Sequence, residues 1–168
     1  GLRWLLRDIS ASRRAEERER LLEETRVAAE EAQAANTLLR TLLDVMPVGV
    51  MVCNADGALL MTNHPGREIL GGRAYGDIET PQRTYEPCYP DGSPFPASEM
   101  PLVRAMQLGE TVENVELLIR REDGSERAVL AGAAPVHDEA GEVVSGVAVF
   151  QDISARKQAE KALEKERA

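Results

Sequence analysis

The sequence predicts an α+β domain with a single antiparallel sheet and short helices on one face, a long helix leading into it and a second helix leaving it. Three observations predict this. Residues 12–46 carry no glycine or proline and are rich in Glu, Arg, Ala and Leu, the composition of one long helix. From residue 48 onward, short apolar runs are separated by turn signals such as Asp56-Gly57 and Asp123-Gly124, which mark tight turns between antiparallel strands. One segment also recurs. Asp8-Ile9-Ser10-Ala11-Ser12-Arg13-Arg14-Ala15-Glu16 matches Asp152-Ile153-Ser154-Ala155-Arg156-Lys157-Gln158-Ala159-Glu160 at six of nine positions, each 144 residues further on.

The repeat sets the expected organisation. Trp4-Leu5-Leu6-Arg7 stands where Ala148-Val149-Phe150-Gln151 stands, each an apolar run closed by one polar residue. Self-similarity at a fixed spacing marks an array, and this period suits a whole domain with its linker. Residues 1–10 are therefore read as the tail of a preceding unit and 11–46 as a linker and coiled-coil helix. The domain itself is read over 47–153, and 154–168 as the start of an output helix.

Within the leading helix, heptad rows run through Leu21, Ala28, Ala35 and Leu42 and through Thr25, Ala32, Leu39 and Met46, the spacing of a coiled-coil seam. The seam is short of large residues in its middle. It reads as a dimerising signal helix; the alternative is a helix folded back on its own domain. Pro47 ends it, lacking an N–H and disfavouring helical geometry at Met46.

Residues 48–54 and 58–62 read as a hairpin, broken by Asn63-His64-Pro65-Gly66. Residues 67–70 suggest a short helix stopped by Gly71-Gly72, and residues 75–96 look irregular. Residues 97–108 form a better helix, with Ser98 as its N-cap, Pro101 in its first turn and Gly109 as its stop. Three strands follow, at 111–120, 126–137 and 143–151. Two strands, short helices and three strands make one antiparallel sheet. In the last two strands both alternating faces are apolar or small, so cover is expected on both sides. The amphipathic leading helix, from this chain or a partner, is the candidate lid.

Composition narrows the function. With 43% apolar residues the chain can build a core, and a formal net charge of −9 argues against nucleic acid or an anionic membrane surface. No apolar run approaches the ~20 residues of a membrane helix, and the expected setting is cytoplasmic, with no direct membrane contact. Cys53 and Cys88 form no C-x-x-C pair and read as reduced thiols. Six aromatic residues are thin material for stacking a flavin or walling a haem.

The order of these elements resembles the PAS fold over residues 38–154. Three patterns carry the resemblance. Pro47-Val48-Gly49-Val50 running into Asn54-Ala55-Asp56-Gly57 is similar to the family's opening strand and turn. Asp91-Gly92-Ser93-Pro94-Phe95-Pro96, followed by Pro101-Leu102-Val103-Arg104-Ala105 and Gly109-Glu110, resembles a subgroup common in bacterial sensor kinases and cyclic-dinucleotide enzymes. Asp152-Ile153-Ser154 resembles the exit motif, usually Asp-Ile-Thr. The chain departs from the pattern at Ala128, where many relatives carry an aromatic residue. It lacks the Asn-Cys-Arg-Phe-Leu motif of flavin-binding relatives, and residues 98–109 lack the histidine of haem-binding ones. Met100 and Met106 are formal iron ligands that read better as packing residues.

The resemblance implies a non-enzymatic sensory and regulatory module of a multidomain signalling protein of the two-component type. It would form a homodimer through its helices and pass conformational change to a kinase or cyclase output domain further along the chain. Asp152, Ile153 and Ser154 are the candidate relay. Ile153 would anchor the strand end, Asp152 would find a charge or hydrogen-bond partner, and Ser154 would cap the next helix. Leu21, Ala28, Ala32, Ala35, Leu39 and Leu42 are the candidate dimer contacts. A small-molecule ligand in the PAS cup is left open, with no tightly bound cofactor expected and its identity unknown. The small patch Ala131-Gly132-Ala133-Ala134 would either open a cavity or let a helix approach the sheet. Two other readings are a haem- or chromophore-bearing sensor and, more remotely, a small enzyme using Cys88 or His64. His64 and His137 otherwise read as surface residues, with no catalytic or metal role.

Overall fold

The computed structural model describes residues 2–72, 74–75, 78, 82–83 and 85–167, with side chains from Ala11 onward except at 73–77 and 79–84. The chain divides into two compact units, Gly1–Leu42 and Leu43–Ala168.

The first unit is the body of α1 (Leu2–Val45). Its side chains from residue 11 to 42 are exposed. Pairs one turn apart support the helix, with Arg26 set between Glu23 at 2.5 Å and Glu30 at 2.6 Å. Such exposed pairs contribute a few tenths of a kcal/mol each, about 0.3–0.5. Residues 2–10 are helical too. The apolar run Trp4-Leu5-Leu6-Arg7 thus differs from its repeat, Ala148-Val149-Phe150-Gln151, which is strand. A strand must pair its backbone with a neighbour, whereas a helix satisfies its own, and no strand pairs with residues 2–10 among the described residues. The side chains of Asp8, Ile9 and Ser10 lie outside the described residues.

The second unit opens, past Pro47, with β1 (Gly49–Asn54) and β2 (Leu59–Thr62). Then come α2 (His64–Leu70), the paired two-residue strands β3 (Ala74–Tyr75) and β4 (Gln82–Arg83), and β5 (Tyr85–Cys88). A 3-10 turn (Ala97–Glu99) leads into α3 (Pro101–Leu108). Three long strands close the sheet, β6 (Val112–Arg121), β7 (Glu126–His137) and β8 (Val143–Asp152), before α4 (Ser154–Arg167). The sheet has six antiparallel strands in the order β2-β1-β8-β7-β6-β5.

Three expectations are corrected. Residues 75–96, read as irregular, contain an edge strand, β5. Pro87 hides it, because a proline cannot donate to a central ladder; at an edge its missing N–H faces no neighbour, and Pro87 still pairs with Ile119. Helix α2 starts at His64, not 67. Asn63 caps it through its side chain, and Pro65 sits in the first turn, where a proline is tolerated. Ser98 does not cap α3. It lies in the 3-10 turn, and Met100 occupies the cap position with no side-chain bond, so Pro101 at the helix start supplies the geometry. Gly109 ends α3 in the left-handed conformation, φ 66°, as expected.

The two faces of the sheet differ. Met51, Cys53, Val129, Ala131, Ala133, Ala148 and Phe150 point to one face and are buried. There α3 packs on β6, β7 and β8, and α2 on β1. On the other face Val149 is 43% exposed and Val136 41% within this unit; the lid expected there, from the leading helix of this chain or a partner, stays a proposal. Central strands favour branched apolar residues on both sides, and apolar alternation alone therefore does not establish cover.

The buried face is tight where α2 and α3 approach it. A methyl at Gly49 would lie 2.1 Å from the Phe150 ring, and one at Gly146 would lie 2.5 Å from Met106 Sδ. Overpacking of this kind costs about 1–3 kcal/mol. Gly49→Ala is expected to lower the urea midpoint by at least about 2 kcal/mol equivalent. Gly146→Ala should lower it less, because a thioether chain bends away more readily than a core ring. Equal losses would show that Phe150 is not fixed.

Candidate functional site

Between the buried face of the sheet and α3 lies a cavity of about 70 Å³. It is lined by Met51, Leu117, Ile119 and Phe150 from the strands, with Tyr85 from β5 and Leu102 from α3. Ala131 and Ala148 leave the space, since β7 and β8 present single methyls there. Strand alternation thus divides the small patch. Ala131 and Ala133 face α3, while Gly132 and Ala134 face the other side, and Gly132 lies under Val112 O, 2.9 Å from where its Cβ would stand. The patch therefore does both things expected of it, opening a cavity at Ala131 and admitting a helix over β7. Ligand pockets are commonly clefts of roughly 300–1,000 Å³, so the space between the described residues is small for a haem or a flavin. Among the described residues no His or Cys lines it. Among the described residues no cluster of three His, Cys, Asp or Glu stands ready for a metal.

The two ends of the unit are tied to the sheet by different chemistry. At the N-terminal junction, Asn63 is a buried polar side chain, 3% exposed. Its Oδ1 accepts from Val50 N at 2.8 Å and Gly66 N at 3.0 Å. Its Nδ2 donates to Leu43 O at 2.6 Å and Val48 O at 3.0 Å. An amide has two donors and an acceptor oxygen with two lone pairs, so every site is used. Leu43 O belongs to the last turn of α1, whose carbonyls have no partner within the helix. One side chain thus joins the end of α1, the start of β1 and the start of α2. Asp44 adds to the junction by accepting from His64 N at 2.9 Å. The opposite end of α2 is held by Arg121, which donates to Glu68 O at 2.6 Å and Ile69 O at 2.8 Å.

At the C-terminal junction, Ile153 is buried at 5% exposure, and its N donates to Ala128 O at 2.8 Å. Asp152 Oδ1 accepts from Ser154 N at 2.8 Å, and its other oxygen faces Arg127 Nε at 3.7 Å. Ser154 Oγ accepts from Ala128 N at 3.0 Å. The role given to Ser154 is corrected: its hydroxyl is taken by the neighbouring strand, and Asp152 satisfies the first free N–H of α4. Two charges of α4 also meet Glu116 of β6, Lys157 at 2.7 Å and Arg156 at 3.7 Å.

Leu21, Ala28, Ala32, Ala35, Leu39 and Leu42 lie exposed along α1. His64 begins α2 and is exposed, with Nε2 3.6 Å from Glu68. Cys88 is on β5, and three strands lie between β5 and the β1 on which α2 packs, so the sheet does not bring the two together. His137 is exposed at the end of β7. Met100 lines the cavity, and Met106 packs beside Gly146. Sequence reasoning missed Asn63, Arg121, Arg127 and Glu116. Asn63 before His-Pro carried the signal of a helix cap; the other three depend on strand register.

The matching family is the PAS fold, over residues 43–158, and the chain belongs to it. PAS domains are sensory rather than catalytic modules. Comparison with curated proteins gives no match. Among solved structures, the PAS domain of BvgS from Bordetella pertussis is 19% identical, with a TM-score of 0.51, 82% of this chain covered and 98% of that one. An RNA-binding light-oxygen-voltage receptor is 22% identical at a TM-score of 0.51, with 79% and 37% covered. The PAS domain of an HTR-like protein from Haloarcula marismortui is 19% identical at 0.49, with 76% and 99% covered. At these identities the likeness is one of fold. No helix among the described residues is long and apolar enough to cross a membrane.

Two measurements check this site. Asn63→Ala strands two donors and two acceptors, and a loss of about 3 kcal/mol in urea unfolding is expected; a loss below about 1 kcal/mol would show that water replaces the amide. Cys53 is fully buried and its thiol is pushed up by desolvation, which leaves less thiolate at any given pH. Neither Cys53 nor Cys88 should react with a disulfide reagent at pH 8 until the chain unfolds. Rapid modification in the native state would contradict their burial.

Proposed function

We propose that this chain is a regulatory PAS module that dimerises through α1 and transmits conformational change between α1 and α4. It would belong to a longer cytoplasmic signalling protein, with residues 1–10 closing a preceding unit, 11–46 linking, 47–153 forming the sensor and 154–168 leading to a kinase or cyclase output. The observation that carries the reading is the hydrogen bonding of both helices into one sheet. Leu43 O is held by Asn63, and Ala128 is bonded on both its N–H and its C=O by Ser154 and Ile153. A shift in strand register or curl changes the geometry of both attachments together, which is what a two-state element needs. Asp152, Ile153 and Ser154 act as the relay. Leu21, Ala28, Ala32, Ala35, Leu39 and Leu42 form the seam, in which Leu21 (54%), Leu39 (57%) and Leu42 (49%) have large apolar surfaces exposed. The separation of Cys88 from His64 in the sheet speaks against a Cys/His pair acting together and supports the regulatory reading.

Native mass spectrometry and sedimentation of the whole chain are expected to show a dimer, weakened at least tenfold by the double change Leu39→Glu and Leu42→Glu. A monomer at micromolar concentration would end the dimer reading. Spin labels at Lys161 in the two copies report the relay. Ser154→Ala should broaden their distance distribution, while an unchanged distribution would sink the relay and leave the dimer standing.

A further inference from the structure

The first turn of α4 carries two cations, and each has two carboxylates within reach. Arg156 stands 3.7 Å from Glu116 of β6 and 3.6 Å from Glu160 of its own helix. Lys157 stands 2.7 Å from Glu116 and 3.9 Å from Glu160. Glu116 thus ties α4 to a strand two places across the sheet from β8, the strand that α4 follows. Glu160 instead offers both cations a partner one turn along, at the spacing that supports a helix by itself. A carboxylate has about four lone-pair sites and takes both cations at once, and a lysine ammonium on its flexible stem swings between acceptors. The two sets of pairs are of one kind, between side chains about a third to a half exposed, so neither outweighs the other by more than a small factor.

Glu116 is also placed to follow the strand. Its neighbour Leu117 is buried and lines the cavity, and strand alternation sends Glu116 to the opposite face. A shift of β6 at Leu117 therefore moves Glu116 without passing through Asp152, Ile153 or Ser154. The internal repeat keeps the same pair of charges. Arg13 and Glu16 stand 144 residues before Lys157 and Glu160, so a cation and, one turn on, a carboxylate follow Asp-Ile-Ser both times.

We infer that Glu116 is a positioning residue for α4, a latch that holds the helix against β6 and that opens by exchange with Glu160. In the closed state Arg156 and Lys157 pair with Glu116. In the open state both turn to Glu160, and α4 swings off β6 as an intact helix while Ile153 keeps its start anchored. Because each state keeps its cations paired, the two lie close in free energy, the condition under which a small shift in β6 moves the population. The latch deepens the relay reading and rests on α4 being the output helix, but it is tested within one chain.

Spin labels are placed at Glu113→Cys and Glu164→Cys, both exposed, with labelled whole chains diluted into unlabelled ones so that only distances within a chain are read. Glu116→Gln is expected to lower the ratio of short to long distances about threefold, as should 1 M salt, where the screening length is about 3 Å. Glu160→Gln removes the competitor and should raise the ratio by a similar factor. Exchanging the charges, Glu116→Lys with Lys157→Glu, should restore the short distance. An unchanged ratio in Glu116→Gln would overturn the latch. A ratio lowered by both Glu116→Gln and Glu160→Gln would overturn it too, since Glu160 would then only support the helix. If Glu116→Gln fails to fold, Lys157→Gln breaks the same contact from the helix side and should lower the ratio alike. A shifted ratio with unmoved Lys161 distances between the copies would uphold the latch and count against the relay.

Discussion

The second unit depends on one buried amide. A chain that turns from helix to strand at residues 45–49 and from strand to helix at 62–64 leaves backbone groups at each turn without a partner. Burying such groups unpaired costs about 1–3 kcal/mol apiece. Asn63 meets four of them with one side chain, at 2.6–3.0 Å. Aspartate would keep the acceptors and lose the donors to Leu43 O and Val48 O; glutamine would carry the amide one methylene too far. Gly66 completes the fit, since a methyl there would stand 2.8 Å from Asn63 Oδ1.

The C-terminal attachment is built from other materials, and magnitudes rank its parts. The ion pairs Arg127–Asp152, Lys157–Glu116 and Arg156–Glu116 join side chains that are about a third to a half exposed. Pairs of this kind contribute about 0–1 kcal/mol each and fade with salt. Burial of Ile153 is worth roughly 2 kcal/mol, and the two bonds to Ala128 continue the β7–β8 ladder past the last strand residue. The apolar anchor and the ladder therefore fix the start of α4, while the charges set its direction. The N-terminal attachment is polar and buried and the C-terminal one chiefly apolar, so temperature and salt act on them differently.

Much of the sheet was legible in the sequence because alternation and Asp-Gly turns are local signals. The strand at 126–137 was placed to the residue, and the other four expected strands to within one residue at each end. What was not legible depended on partners. Pro87 reads as a strand breaker until Ile119 is seen beside it. The same serine hydroxyl that can cap α4 can reach Ala128 N across the sheet, and sequence offers no way to choose. Asn63 looked like part of a breaker because its four partners lie 3 to 20 residues away. The alanines announced small volume without saying whether a helix or a void would use it; period-two alternation sends alternate members to opposite faces.

The void beneath α3 also has a volumetric consequence. Seventy cubic ångströms per molecule is about 40 mL per mole, within the range of volume changes that accompany unfolding of whole proteins. Water invading the cup would recover that volume, so compression favours states in which α3 lifts from the sheet. Hydrostatic pressure thus acts on the same helix that any occupant of the cup would hold down.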